Sequence, residues 1–172
     1  LFLLAILQSS CRQSGNKYRI LVVHSYESDY VAYKDCDRLI RESLEKKGIN
    51  PSIQTFYLNC EQYAAPAEEK RMYLYLDSIS TWKPDLVLVY EDQATYTLMQ
   101  CHHPLISTVP IVFGGVNFPN KALLAQYSNV SGFWDEPDYV TNIRLIEHLL
   151  GKSTIYMLHD STYIDRHIKA TL

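Results

Sequence analysis

Short apolar runs alternate with stretches of helical period along this chain. Residues 20–23 are an unbroken run of β-branched residues and leucine, the pattern of a strand buried on both faces of a parallel sheet. Residues 29–47 place Cys36, Leu39, Ile40, Ser43 and Leu44 on one helical face, and Gly48 closes that helix. Residues 52–58 predict a second strand and residues 66–82 a second helix. In that helix Pro66 sits in the first turn, and Glu68 and Glu69 suit the positive end of the dipole. A third strand spans 86–90 and a short helix 93–101. A fourth strand spans 110–113 and is interrupted by Gly114-Gly115, and a fifth spans 129–134. Residues 137–150 predict a helix with Val140, Ile143, Ile146 and Leu150 on one face. Residues 153–158 predict a sixth strand, and the segment ending at Leu172 reads as the opening of another helix.

Strand–helix alternation with continuous apolar strands specifies an α/β fold, with a parallel sheet between two helical layers and right-handed crossovers. The expectation is a three-layer α/β/α, flavodoxin-like lobe with strand order 2-1-3-4-5. Residues 18–135 form this lobe, and residues 136–172 supply a crossover helix and the start of a second, truncated lobe. Residues 1–17 are a leader and linker.

That leader changes the picture. Residues 1–7 are all apolar, and Gln8-Ser9-Ser10-Cys11 and a polar run follow. An apolar stretch ending in small residues and a cysteine reads as the end of an export signal, with Cys11 the candidate lipidation residue. Seven residues are too few to span a bilayer, which takes about 20. The predicted location is extracytoplasmic or periplasmic, with an anchor of lipid or of a membrane helix elsewhere. The net charge of −3 shows no basic surplus for nucleic acid. The four cysteines include no C-x-x-C pair, which argues against zinc-ribbon and thioredoxin-type chemistry. A Cys36–Cys60 disulfide and burial as small apolar groups are both open.

In open parallel sheets, ligands bind beyond the carboxyl ends of the strands, near the switch point in strand order. That edge carries His24, Ser25, Tyr26 and Tyr30 after strand one, and Glu91, Asp92 and Gln93 after strand three. Gly114, Gly115, Val116 and Asn117 follow strand four, Trp134, Asp135 and Glu136 follow strand five, and His159, Asp160, Ser161 and Thr162 follow strand six. Aromatic walls with a few convergent polar groups suit a small-molecule cleft. Several of these residues have local uses as well. His24 and Ser25 could cap the first helix, Glu91-Asp92 could open the third, and Asp135 or Glu136 could cap the fourth with Pro137 at its first position. No phosphate-binding loop, dinucleotide fingerprint or G-x-S-x-G elbow occurs, and strand one is followed by no glycine. His102-His103 are adjacent and make a poor metal pair. His24 could pair with Glu91 or Asp92 as a base and its orienter, but no nucleophile accompanies them. The reading is therefore a non-enzyme with no cofactor and no metal.

Four segments stand in a familiar order: 20–26 (ILVVHSY), 84–92 (PDLVLVYED), 109–117 (VPIVFGGVN), and 129–132 (NVSG) with Glu136-Pro137. Together they resemble the ABC-transporter substrate-binding-like proteins of the type I periplasmic-binding-protein fold, a family also found as extracytoplasmic sensor regions of histidine kinases. The resemblance covers residues 18–172. It implies a two-lobed clamshell that closes on a small molecule, with cleft positions at Ser25, Tyr26, Asp92, Asn117, Glu136 and Asp160. Tyr30, Gly115 and Trp134 join them from the strand-edge argument. The expected function is a small-molecule sensor domain of a (hybrid) two-component histidine kinase. The alternatives are a substrate-binding lipoprotein of an ABC importer and a flavodoxin-like enzyme or cofactor protein. Expected partners are the ligand, the second lobe, and membrane and kinase segments downstream. A lone lobe would expose apolar surface, so a dimer is a further expectation.

Overall fold

The computed structural model describes residues 17–152, 154–159 and 162–171. Five strands form one parallel sheet in the order β2-β1-β3-β4-β5. They are β1 (Arg19–His24), β2 (Ser52–Tyr57), β3 (Leu86–Tyr90), β4 (Ile111–Val116) and β5 (Val130–Trp134). Each crossover carries helix: α1 (Val31–Glu45), α2 (Ala65–Ser78), α3 (Asp92–Gln100) with a 3-10 turn at Pro104–Ser107, and the short α4 (Lys121–Leu124). After β5 come α5 (Tyr139–Leu150) and α6 (Tyr163–Thr171).

Strand alternation divides the side chains of the sheet. Leu21 and Val23 of β1, Val87 and Val89 of β3, and Ile111 and Phe113 of β4 enter the main core with Met72 and Leu76 of α2 and Leu98 of α3. The other face of β1 sends His24 toward α1, where Tyr33 stacks on it at 3.8 Å. At the amino end of the sheet, Asp85 takes three hydrogen bonds from Arg19: the main-chain N–H at 2.8 Å, Nε at 3.2 Å and Nη2 at 2.8 Å. These join the start of β1 to the loop before β3.

The 2-1-3-4-5 order agrees with the alternation of the sequence. Four local expectations change. β4 does not stop at Phe113. It runs through both glycines to Val116, with a register shift between Phe113 and Val116, and Gly115 adopts φ +69° there. A bulge of this kind uses the residue type that has no Cβ penalty at positive φ. α5 is capped by Asp138, whose carboxylate accepts the Thr141 N–H at 2.9 Å, so Asp135, Glu136 and Pro137 lie before the helix. Among residues 154–158 no strand forms. Tyr156 and Leu158 are exposed there, because an apolar run becomes a strand only beside a partner edge. The apolar positions of α5 are not buried either. Cys36, Cys60 and Cys101 are free thiols, so the Cys36–Cys60 bridge is absent. Cys60 packs in the main core, while Cys36 lies by the Tyr90 hydroxyl.

Candidate functional site

The carboxyl edge of the sheet is built in two tiers, a bonded floor and open walls. The floor lies at the β1/β3 switch point. Ser25, 1% exposed, donates from Oγ to the Tyr90 carbonyl at 3.0 Å and accepts the Ala94 N–H at 2.9 Å. It therefore caps α3 from a neighbouring strand, and not α1 as its sequence position suggests. Asp92 is fully buried, and its two oxygens accept the N–H groups of Asn117 and Phe118, each at 2.8 Å. Burial pushes its carboxyl upward, and the two amide bonds oppose that shift.

Glu91 bridges the same loops at φ +71°, a strained value for a residue with a Cβ. Its N–H donates to the Gly114 carbonyl at 2.8 Å, and its carboxylate accepts the Tyr33 hydroxyl at 2.7 Å. The Tyr33 oxygen in turn accepts the Tyr26 N–H at 2.9 Å. Burial also raises the Glu91 carboxyl, against the pull of the Tyr33 and Ser25 bonds. Beneath them, His24 is held by Asp37 of α1 at 3.0 Å, so the acid–base pairing with Glu91 or Asp92 does not form. Burial lowers the His24 pKa, the Asp37 contact partly restores it, and Nδ1 has no partner.

The walls leave three clefts. The first, about 650 Å³, lies between the 60–65 loop, the start of α2, Gln93 and α6. Glu68 of α2 forms its floor, 1% exposed, and receives hydrogen bonds from Gln93 Nε2 and Thr97 Oγ1. Burial raises the Glu68 carboxyl, and nearby Arg166 of α6 works the other way. The second cleft, about 550 Å³, continues from the first through Glu61 and Gln62 to Glu27, Asp29 and Tyr30. The third, about 750 Å³, lies on the β4–β5 side and is lined by Asn117, Phe118, Lys121, Glu136, Tyr163 and His167 among others. α6 separates the first cleft from the third. Tyr163 borders both, packs on Tyr96 at 5.0 Å, and His167 stacks on Phe118 at 5.3 Å.

The residues singled out in the sequence thus divide. Tyr30, Asn117 and Glu136 line clefts, and Tyr26 stacks on Tyr30 at 4.8 Å. Trp134 is partly exposed, stacked on Phe113 with Lys121 5.6 Å above its ring, and Lys121 also pairs with Glu136 at 3.4 Å. Ser25 and Asp92 belong to the floor. Gly115 lies over Glu91, where a Cβ would approach Glu91 Cγ at 3.6 Å. Asp160 and Cys11 lie outside the described residues. The 60–63 loop, Glu68, Arg166 and His167 were not singled out. The one signal for the 60–63 loop is the position of β2 beside β1, which carries the loop after β2 to the same edge, and Arg166 and His167 arrive on α6. Among the described residues no cluster of three or more His, Cys, Asp or Glu suits a metal ion, and no helix is long and apolar enough to cross a membrane.

No protein-family model matches the chain. No curated protein matches it either. Solved structures do. A conserved domain protein from Vibrio cholerae O1 biovar eltor aligns with TM-score 0.58 and 18% identity over 78% of this chain and 44% of its own. The ligand-free, open form of a substrate binding protein with adhesive properties from Clostridium difficile aligns with TM-score 0.57 and 17% identity, over 90% of this chain and 51% of its own. An ABC domain from Streptococcus pneumonia in complex with L-Trp gives TM-score 0.54 and 16% identity over 76% and 43%. The chain spans about half the length of the structures it matches, and it has the α/β fold of one lobe of a substrate-binding protein.

Proposed function

We propose that this chain binds a small molecule outside the cytoplasm, at the carboxyl edge of its sheet, as the first lobe of a two-lobed receptor. The observation that carries this is the placement of the clefts. They open at the edge where parallel α/β sheets bind ligands, and their walls come from four separate loops and α6. Tyr30, Gln93, Asn117, Glu136 and Tyr163 supply contacts, with Tyr26 and Trp134 beside them, while Ser25, Asp92 and Gly115 set the backbone beneath. Closure of the second lobe over this edge would trap the ligand, which shifts the population of closed states by its differential affinity. The chain catalyses no reaction in this reading.

The receptor role we favour is the sensor region of a two-component histidine kinase. The second reading, a lipid-anchored binding protein of an ABC importer, is supported by the substrate-binding character of the Clostridium difficile neighbour. The L-Trp bound to the Streptococcus pneumonia protein makes amino acids the first class to screen.

Thermal unfolding of the full chain against a metabolite panel tests the binding reading. A ligand at 100 times its Kd stabilises by about 2.7 kcal/mol, enough to shift the midpoint by several degrees. Tyr163→Ala and Gln93→Ala should abolish the shift while the far-ultraviolet spectrum is kept. A panel without a stabilising compound, or a shift insensitive to both variants, refutes the site. Reading the open reading frame past residue 172 separates the roles. A second lobe, an apolar helix and a kinase core support the sensor, and a stop after the second lobe supports the importer protein.

A further inference from the structure

The first two clefts share Glu61 and Gln62 and so form one continuous trough, and its charge is lopsided. Four carboxylates line it (Glu27, Asp29, Glu61 and Glu68) against one guanidinium, Arg166. Arg166 acts on Glu68, and the lining as a whole carries three more carboxylates than guanidinium groups. Cys60 stands in the trough wall. Burial, with Glu68, Glu27, Glu91 and Glu61 around it, pushes that thiol up to about 12.

Polar atoms left without partners point the same way. Glu27 Oε1 and Gln93 Oε1 are buried with no hydrogen-bond partner. Both belong to half-buried trough residues and both are acceptors, which a donor in the trough engages only when their side chains turn outward. Aromatic rings stand beside them: Tyr30 in the second cleft, and Tyr63 and Tyr163 in the first. Tyr63 already holds a cation, since the guanidinium carbon of Arg71, which does not line the trough, lies 4.2 Å from its ring centroid. Carboxylates beside tyrosine faces recognise organic cations through charge and the ring quadrupole together. The described residues offer no cluster that suits a metal ion, so the cation is a molecular one.

We infer that this trough selects a ligand carrying an ammonium or amidinium group on an apolar or aromatic body, with Glu27, Glu61 and Gln93 receiving the donor hydrogens. The inference rests on the small-molecule reading above and adds the charge class of the ligand.

Three probes share one ring and differ in charge: tyramine, its neutral alcohol analogue tyrosol, and 4-hydroxyphenylacetate. Titration calorimetry of each into the full chain should rank them in that order, with tyramine at least tenfold tighter than tyrosol. The preference should shrink when salt rises from 20 to about 300 mM, because the Debye length contracts. Glu61→Gln and Glu27→Gln should each weaken tyramine several-fold and leave tyrosol unchanged. Glu61 is exposed and Glu27 half-buried, and each change keeps the shape of the side chain, so unfolding midpoints should stay close to that of the parent. Equal affinities, a preference for the carboxylate, or no binding by any probe overturns the cation inference. Tight binding of 4-hydroxyphenylacetate that Gln93→Ala abolishes would overturn the inference while preserving the ligand site. A broad panel in which no compound stabilises the chain would remove both.

Discussion

Replacing Tyr33 with phenylalanine removes one oxygen and keeps the ring that stacks on His24 at 3.8 Å. That oxygen donates to Glu91 at 2.7 Å and accepts the Tyr26 N–H at 2.9 Å, so two loops of the floor lose a shared partner. A hydrogen bond to a charged group contributes about 1.5–3 kcal/mol and a neutral one about 1 kcal/mol. Water can reach part of this edge, so Y33F should lower stability by about 2–3 kcal/mol at pH 7. Urea unfolding should show the midpoint falling at unchanged slope. The loss should also depend on pH. Burial holds the Glu91 carboxyl above its ordinary value, and the Tyr33 hydroxyl pulls it down by favouring the charged form. A carboxyl raised on folding contributes stability that is complete below the unfolded pKa, about 4.3, and is lost as pH rises through the folded value. Without the Tyr33 donor the folded value rises further. The deficit of Y33F should therefore be smallest near pH 4 and grow toward pH 7. A double-mutant cycle with Glu91→Gln should return a coupling of about 1–2 kcal/mol. A loss under about 0.5 kcal/mol that is flat with pH and additive with E91Q would refute the keystone role.

Two other outcomes follow from the same geometry. A Cβ on Gly132 would lie 2.5 Å from Phe113 Cγ and against the Phe113 carbonyl, so G132A should destabilise by about 1–3 kcal/mol and disturb Trp134 fluorescence through the Phe113–Trp134 stack; a neutral melting curve would show that β5 sits farther from β4. Asp85 is held at about 2 by its hydrogen bonds from Arg19. A carboxyl depressed on folding stabilises above its unfolded pKa and loses that contribution as pH falls toward the folded value, so D85N should flatten the acid limb of the stability profile between pH 4 and 2, and an unaltered limb would count against the pair.

The sheet was legible because its strands carry the signal themselves. The continuous runs at 20–23 and 86–90 can be satisfied only by cover on both faces, and each crossover has room for a helix. The run at 154–158 is also largely apolar but pairs with no edge among the described residues, and composition does not encode a partner. At the site, Ser25 and Asp92 were recognised as polar groups at the right edge, but a hydroxyl or carboxylate reads the same whether it meets a ligand or a backbone amide. Only the fold shows that Asp92 meets the amides of Asn117 and Phe118. The 60–63 loop has no periodicity and no motif, and it reaches the trough because β2 lies next to β1. Pro137 suits the first position of a helix and so hides Asp138 as the cap, whereas the helix starts at Tyr139.

The division between floor and walls has a consequence for how such a receptor changes its ligand over evolutionary time. Ser25, Tyr33, Glu91 and Asp92 interlock β1, β3, β4 and α3 through hydrogen bonds that no ligand needs to touch. Glu61, Gln62 and Tyr63 are exposed and carry none of that bonding. Substitutions at residues 61–63 can therefore accumulate at little cost to folding, while the framework that positions them, with Cys60 in the core, stays constant. A lineage of such receptors could exchange one ligand for another by drifting along the rim, with its scaffold never put at risk.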